Sequence, residues 1–206
     1  MIKGYAGTLR RKDARWDAAT VRDSAAVIEE EADHLTGLID DLLDASRLQA
    51  GGLNLNLGDV ALDQLERHMV EKYSVEAVQH PIVLDFPAKF PTVPGDAPRL
   101  NQVLSNLINN AIKYSPAGVP IRLAGRVTPH EVIVTVADQG IGIPLDEQGR
   151  IFERFYRVDD QLSRQTQGSG LGLYLAKAII DAHRGRIWVE SMPGRGAAFS
   201  FALPRE

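Results

Sequence analysis

The sequence predicts an α/β (α+β) sandwich, in which a mixed β-sheet carries helices on one face, preceded by a long coiled-coil-like helix. Two observations predict this class. Apolar residues repeat at heptad spacing through the N-terminal part of the chain, and after Gly51-Gly52 the pattern changes to short alternating strands between amphipathic helices. Short connections such as Thr128-Pro129 favour antiparallel neighbours, so a mixed sheet is favoured over a doubly wound parallel one.

The N-terminal segment contains a seam of apolar or small residues whose spacing alternates between four and three. Acidic residues such as Glu29 and Asp40 occupy the other faces, so the helix is expected to pack along one stripe against a partner helix. An ordinary surface helix is the alternative. Gly51-Gly52 is a strong helix stop and divides the chain into predicted domains at residues 1–52 and 53–206. The seam comprises Val21, Ala25, Ile28, Ala32, Leu35, Ile39, Leu42 and Ser46.

The second domain is predicted to begin with the alternation Leu53, Leu55 and Leu57. Its helices are predicted near 62–73, 97–114 and 171–183. Strands are predicted at 82–86, 121–127, 132–138, 186–191 and 197–203.

Composition excludes several classes of function. A net charge of −4 and a pI near 5.8 argue against a duplex nucleic-acid binder, which presents a basic face to phosphates. The chain has no cysteine, so disulfides, thiolate metal sites and cysteine nucleophiles are excluded. No apolar run approaches the ~20 residues that span a bilayer, and residues 1–11 lack the apolar stretch of a signal peptide. We therefore expect no nucleic-acid or membrane contact and a cytoplasmic location, which is compatible with membrane anchoring of a full-length protein.

The helix predicted at 97–114 has an unusual polar edge. It begins with a good cap and a first-turn proline in Asp96-Ala97-Pro98. Asparagines and a lysine then recur at Asn106, Asn110 and Lys113, and at about 100° per residue Asn110 falls about 20° from Val103, at the border of the apolar stripe. Half-buried amides require partners. A polar stripe facing solvent is the alternative, and this helix alone leaves function undecided.

Two glycine-rich segments follow. DQGIGIP, residues 138–144, places a carboxylate at a strand end and glycines where the backbone approaches a ligand. GSGLGL, residues 168–173, opens a helix, so backbone amides and the helix dipole face anything anionic placed there. No strand leads into the second segment, which argues against a dinucleotide-binding fingerprint. Taken singly, each segment is also typical of an ordinary loop.

In this order, the motifs resemble the histidine kinases of the GHKL ATPase superfamily, whose fold is the Bergerat type. NLINNAIKYS (106–115) resembles the asparagine box, DQGIGI the first glycine box and FERFYR (152–157) the phenylalanine box. GSGLGL resembles the second glycine box, and GRGAAF (194–199) the final glycine-containing turn. The heptad helix ending in LIDDLLDASRL (38–48) is similar to the second helix of the family's dimerisation and histidine-phosphotransfer hairpin.

The resemblance implies ATP and Mg²⁺ as ligands and a role for each matching residue. Asn110 is expected to coordinate Mg²⁺ through its amide oxygen, and Asn106 to orient a group beside it. Asp138 is expected to accept a hydrogen bond from the exocyclic amine of adenine, which selects ATP over GTP. Lys113 and Arg157 are expected to bring positive charge to the phosphates. The predicted catalytic set is Asn106, Asn110 and Lys113.

Other positions complete the predicted ATP site. Tyr114 is expected beside the nucleoside, and Gly140, Gly142 and Ile143 around the base. Residues 158–167 are expected to form a lid over the triphosphate. The phosphate-binding segment comprises Gly168, Ser169, Gly170, Leu171 and Gly172.

The resemblance implies a histidine kinase of two-component signal transduction, which transfers the γ-phosphate to a histidine absent from this chain. Met1 stands where the family's acceptor motif, similar to H-E-L-R-T-P, has already passed, and none of the five histidines lies in such a motif. Expected partners are a response regulator, the histidine-bearing helix of another chain, and weakly a second copy. The alternatives are a nucleotide-binding regulatory fragment without catalytic output, or a GHKL ATPase or serine kinase, which carry glutamate where this chain has Asn106.

Overall fold

The computed structural model describes residues 1–11, 14–51, 53–76, 80–158 and 168–205. The chain divides into two compact units, residues 1–46 and 47–206. In the described part of the chain, no helix has the length and apolar character needed to cross a membrane. The predicted division at Gly51-Gly52 stays a prediction, and Gly52 lies outside the described residues.

The first unit is helical. Helix α1 spans Ile2–Leu9, and α2 begins at Ala18 and runs for 34 residues to Gly51, so that its last turn belongs to the second unit. The Asp17 carboxylate accepts a hydrogen bond from the Thr20 amide at 2.7 Å, which satisfies one of the amide groups left unpaired at the start of α2. The residues of the predicted seam lie on α2, and Leu35, Ile39 and Leu42 among them are about half exposed.

The second unit contains a five-stranded mixed sheet and a two-stranded ribbon. In the ribbon, β1 (Gly58–Val60) pairs antiparallel with β3 (Val93–Gly95). In spatial order, the strands of the large sheet are β2 (Ile82–Asp85), β4 (Ile121–Val127), β5 (Glu131–Ala137), β7 (Ala197–Pro204) and β6 (Arg186–Ser191). Only β2 and β4 are parallel neighbours in this sheet.

Three helices cover one face of the large sheet: α3 (Leu62–Glu76), α4 (Ala97–Tyr114) and α5 (Gly172–Ala182). Alternate residues of β4 and β5, such as Leu123 and Val134, are fully buried and join one core with the apolar faces of these helices. The other face carries polar groups, including a Thr135–Ser200 hydroxyl pair at 2.8 Å. The two-layer class predicted from sequence is confirmed.

The structure corrects the prediction of a first strand at Leu53, Leu55 and Leu57. These residues are not in a strand. The Asn56 amide hydrogen-bonds the Asp96 carboxylate at 2.8 Å instead of a neighbouring strand, and pairing begins only at Gly58. Strand β3 was not predicted.

Candidate functional site

Helix α4 is the central element of the site. The Asp96 Oδ1 atom accepts a hydrogen bond from the Arg99 amide at 3.2 Å, and Pro98 lies in the first turn, so the predicted start is confirmed. The predicted polar edge carries Asn106, Asn110 and Lys113, all half-buried. The adjoining stripe is fully buried and comprises Leu100, Val103, Leu104, Leu107, Ile108 and Ala111.

The first glycine segment begins with a partly buried carboxylate at the end of β5. Asp138 Oδ1 accepts hydrogen bonds from the amides of Gly140 at 2.7 Å and Ala197 at 3.2 Å. Burial raises the pKa of Asp138, and these two amide donors act in the opposite direction. Both bonds are made by Oδ1, which fixes the carboxylate plane and orients the second oxygen, Oδ2.

Gly140 and Gly142 allow this segment to pass close to its neighbours. A Cβ atom at Gly140 would lie 2.3 Å from the Tyr114 carbonyl oxygen, so a side chain there would push the segment away from the end of α4. Gly142 has φ +72°, and a Cβ there would lie 2.1 Å from the Met192 carbonyl oxygen. The segment therefore packs against the C-terminal end of α4 at one point and against the end of β6 at another.

A polar network that was not predicted from the sequence supports the first glycine segment. The Ile143 amide donates to the Ser191 hydroxyl at 2.8 Å, and that hydroxyl donates to the Gly196 carbonyl at 2.7 Å. The Gln148 side-chain amide donates to the carbonyls of Ile143 at 3.0 Å and Ser191 at 2.9 Å. Sequence reasoning missed Ser191 and Gln148, because the only signal was a serine at a predicted strand end.

The second glycine segment contacts α4 through the side chains of its polar edge. The Asn106 side-chain amide donates to the Gly172 carbonyl at 3.0 Å, at the first residue of α5. Near the end of α4, a Cβ atom at Gly168 would lie 2.8 Å from the Lys113 Nζ atom. The Ser169 hydroxyl accepts the Leu171 amide at 3.2 Å and so shapes the turn into the helix. These contacts bring the second glycine segment beside α4.

Positive charge collects at this junction. The Lys113 ammonium lies 5.1 Å from the centroid of the Tyr114 ring. The exposed Arg157 guanidinium donates to the Gly168 carbonyl at 3.3 Å. The Gly170 carbonyl accepts the Phe155 amide at 3.0 Å, so the second glycine segment is hydrogen-bonded to residues 152–157. The backbone amides of the first turn of α5 have no acceptors within the helix, so they can donate hydrogen bonds to an anion beside Lys113 and Arg157.

The fit of a divalent cation depends on a single amide oxygen. Among the described residues, no three His, Cys, Asp or Glu side chains are grouped closely enough to hold a metal ion. Asn110 lies one turn after Asn106 and one turn before Tyr114, between the two glycine segments, and an amide oxygen is a ligand that Mg²⁺ accepts. These residues fit a Mg²⁺ that receives its other oxygens from phosphates and water. The rest of the predicted lid, residues 159–167, lies outside the described residues.

Comparisons with known proteins identify similar ATPases and histidine kinases. The family model described as histidine kinase-, DNA gyrase B-, and HSP90-like ATPase matches residues 95–206. The sensor-like histidine kinase SenX3 of Mycobacterium tuberculosis is 38% identical over 190 residues, covering 91% of this chain and 46% of SenX3. The sensor histidine kinase WalK of Bacillus subtilis is 33% identical over 181 residues, covering 86% of this chain and 30% of WalK.

Solved structures show the same similarity. The crystal structure of full-length ShkA in complex with AMPPNP has a TM-score of 0.77 and 31% identity, covering 98% of this chain and 42% of ShkA. The chain spans less than half the length of each of these relatives.

Proposed function

The chain belongs to the histidine kinase-, DNA gyrase B-, and HSP90-like ATPase family, and we propose that it binds Mg-ATP and donates the γ-phosphate to a histidine on another helix. Its ATPase domain is of the two-component histidine kinase type. One observation carries the proposal. The last two turns of α4 lie between two glycine segments, with a partly buried carboxylate on one side and an ammonium and a guanidinium on the other.

Adenine recognition is assigned to Asp138. Its Oδ1 atom is held by two amides, so Oδ2 is oriented to accept a hydrogen bond from the exocyclic amine of adenine. A guanine base presents a carbonyl oxygen at that position, which would leave the carboxylate facing an acceptor. Gly140, Gly142 and Ile143 form the wall beside the base, and Tyr114 lies at its edge.

Phosphate binding is assigned to the junction of α4 and α5. Lys113 and Arg157 neutralise the phosphates, and backbone amides between Gly168 and Gly172, other than that of Leu171, donate to them. Asn110 holds Mg²⁺ through its amide oxygen. When bound, the ion neutralises charge that develops on the phosphate oxygens during transfer.

The role of Asn106 is orientation rather than base catalysis. Its side-chain amide donates to the Gly172 carbonyl, which fixes the start of α5 relative to α4. An amide has no basic site that could remove a proton from water, so this position does not favour ATP hydrolysis. Transfer to a histidine needs no such base from this domain, since the imidazole is itself the nucleophile and positioned charge supplies most of the acceleration.

A transfer assay tests this proposal. The chain is incubated with γ-labelled ATP, Mg²⁺ and a helical peptide that carries an H-E-L-R-T-P motif. We expect acid-labile, base-stable label on the peptide, as for a phosphorylated imidazole. The Asn110→Ala variant should transfer no label. Asn109→Ala is the matched control, because Asn109 is exposed and its side chain accepts the Tyr73 hydroxyl at 2.8 Å outside the site.

The two rival functions give different outcomes in the same assay. A regulatory nucleotide-binding module binds ATP and leaves the peptide unlabelled. An ATPase releases inorganic phosphate at the same rate with or without the peptide. A response regulator is the proposed final acceptor, and label should pass from the peptide to an aspartate on such a protein.

A further inference from the structure

His183 is a buried histidine with both ring nitrogens hydrogen-bonded. It follows the last residue of α5, and only 6% of its surface is exposed. Its Nε2 atom accepts the Asp96 backbone amide at 2.9 Å, so the ring proton resides on Nδ1, which donates to the Ile179 carbonyl at 2.7 Å. The ring is thus a neutral imidazole in a defined tautomer, which joins the end of α5 to the start of α4.

Asp96 is hydrogen-bonded to three parts of the second unit. Its amide donates to His183, its Oδ1 atom caps α4 through the Arg99 amide, and its Oδ2 atom accepts the Asn56 amide at 2.8 Å. Asn56 lies in the segment that connects α2 with β1. The start of α4 is therefore fixed both to α5 and to the connecting segment.

Helices α4 and α5 are antiparallel neighbours joined by polar bonds at both ends of their contact. One bond is Asp96 to His183, and the other is Asn106 to Gly172. At about 1.5 Å per residue, the two attachment points are about 15 Å apart on α4 and about 16.5 Å apart on α5. The spacings match, so both bonds are made only when the helices have one axial register.

Apolar packing alone would fix that register poorly. Burial of apolar surface is non-directional, whereas a hydrogen bond weakens steeply when its length or angle departs from the optimum. A shift of α5 along α4 would move the Gly168–Gly172 amides relative to Asn110 and Lys113. It would not move Asp138, which directly follows β5.

We propose that His183 is a positioning residue for the phosphate half of the nucleotide site, acting through Asp96 to hold α4 and α5 in the register that aligns Asn110 with the second glycine segment. This inference rests on the proposed binding of Mg-ATP. It assigns no direct contact with the nucleotide to His183.

The test compares two substitutions at His183. In His183→Phe a ring of similar shape leaves the Asp96 amide buried without an acceptor. In His183→Gln the side-chain carbonyl can accept that amide in place of Nε2. Affinities for Mg-ATP and for adenosine are measured by titration at a temperature at which circular dichroism shows every variant folded. His130→Phe, at an exposed position, is the control for the same chemical change elsewhere.

We expect His183→Phe to weaken Mg-ATP binding by roughly tenfold and to leave adenosine binding within about twofold, while His183→Gln restores most of the Mg-ATP affinity. Equal losses for both ligands would indicate general destabilisation and would overturn the inference. Unchanged Mg-ATP affinity in His183→Phe, or failure of His183→Gln to restore it, would overturn it too. If the unsubstituted chain bound no Mg-ATP, the proposed function itself would be refuted.

A measurement on the unsubstituted chain covers the case in which His183→Phe does not fold. Ligand binding and register are reciprocally coupled, so Mg-ATP should slow hydrogen exchange of the Asp96 amide by several-fold and adenosine should not. Equal slowing by both ligands, or none by either, would contradict the inference.

Discussion

Replacement of Glu66 by glutamine should stabilise the second unit at neutral pH. Glu66 lies on α3, its side chain is fully buried, and neither carboxyl oxygen has a hydrogen-bond partner among the described residues. Burial, with a smaller contribution from the nearby Asp63 carboxylate, raises the pKa of Glu66 from 4.5 to about 9. The folded chain therefore keeps a proton that the unfolded chain releases above pH 4.5.

The magnitude follows from the two pKa values. Because the folded pKa is the higher one, the unfolded state binds fewer protons between about pH 4.5 and about pH 9, and the free energy of unfolding falls by about 1.4 kcal/mol per pH unit in that window. At pH 7, roughly 2.5 units above the unfolded pKa, Glu66 lowers stability by about 3 kcal/mol relative to its value below pH 4.5. A glutamine of the same shape does not ionise and avoids this loss.

Urea unfolding of both proteins at pH 4.5, 6 and 7.5 measures the effect. The two free energies of unfolding should be similar at pH 4.5, and the variant should gain about 2–4 kcal/mol by pH 7.5. Asp63→Asn is the control, because it removes the nearby charge and leaves the burial, and it should recover only a minor part of the difference. A gap between Glu66→Gln and the original chain that does not change with pH would refute the reasoning.

Three further predictions concern other parts of the molecule. Asp138→Asn should reduce the preference for ATP over GTP in competition titrations, because the amide can present a donor to either base; an unchanged preference would contradict the adenine assignment. Gly142→Ala should lower the free energy of unfolding by about 2 kcal/mol or more, since φ is +72° and the Met192 carbonyl blocks the new carbon, whereas Gly149→Ala, with nothing within 4 Å, should cost far less. Sedimentation should show concentration-dependent association of the whole chain through the half-exposed α2 seam and a monomer after removal of residues 1–52; a removal that left the association unchanged would locate it elsewhere.

The sequence predicted elements whose signals are local. The bounds of α4 followed from its cap, its first-turn proline and an uninterrupted apolar stripe, and β4 and β6 followed from alternation between clear breaks. Strand β3 has three residues and forms only through pairing with β1, more than thirty positions earlier in the chain. No local pattern at Val93–Gly95 indicates that pairing, and the Asn56 amide hydrogen-bonds a side chain where the leucine alternation predicted a strand.

In the candidate site, too, the sequence predicted the local motifs but not the contacts between residues far apart in the chain. The residues of the proposed site were predicted from motif order, and the structure brings Asn106, Lys113 and Tyr114 of α4 beside Gly172, Gly168 and Gly140. The hydrogen bonds of Ser191 and His183 were not predicted, because their partners lie about fifty and ninety positions away in the chain. The burial of Glu66 is likewise a tertiary effect, since its side chain on α3 resembles that of any exposed helical glutamate in sequence.

The most direct test of the account is calorimetric titration of the chain with ATP, in Mg²⁺ and again in EDTA, using the original sequence and Asn110→Ala. The original chain should bind one ATP more tightly in Mg²⁺ than in EDTA, and Asn110→Ala should abolish this difference while its far-ultraviolet circular dichroism is unchanged. ATP binding that is equally tight in both buffers, or a Mg²⁺ dependence that Asn110→Ala leaves intact, would contradict the assignment of the site.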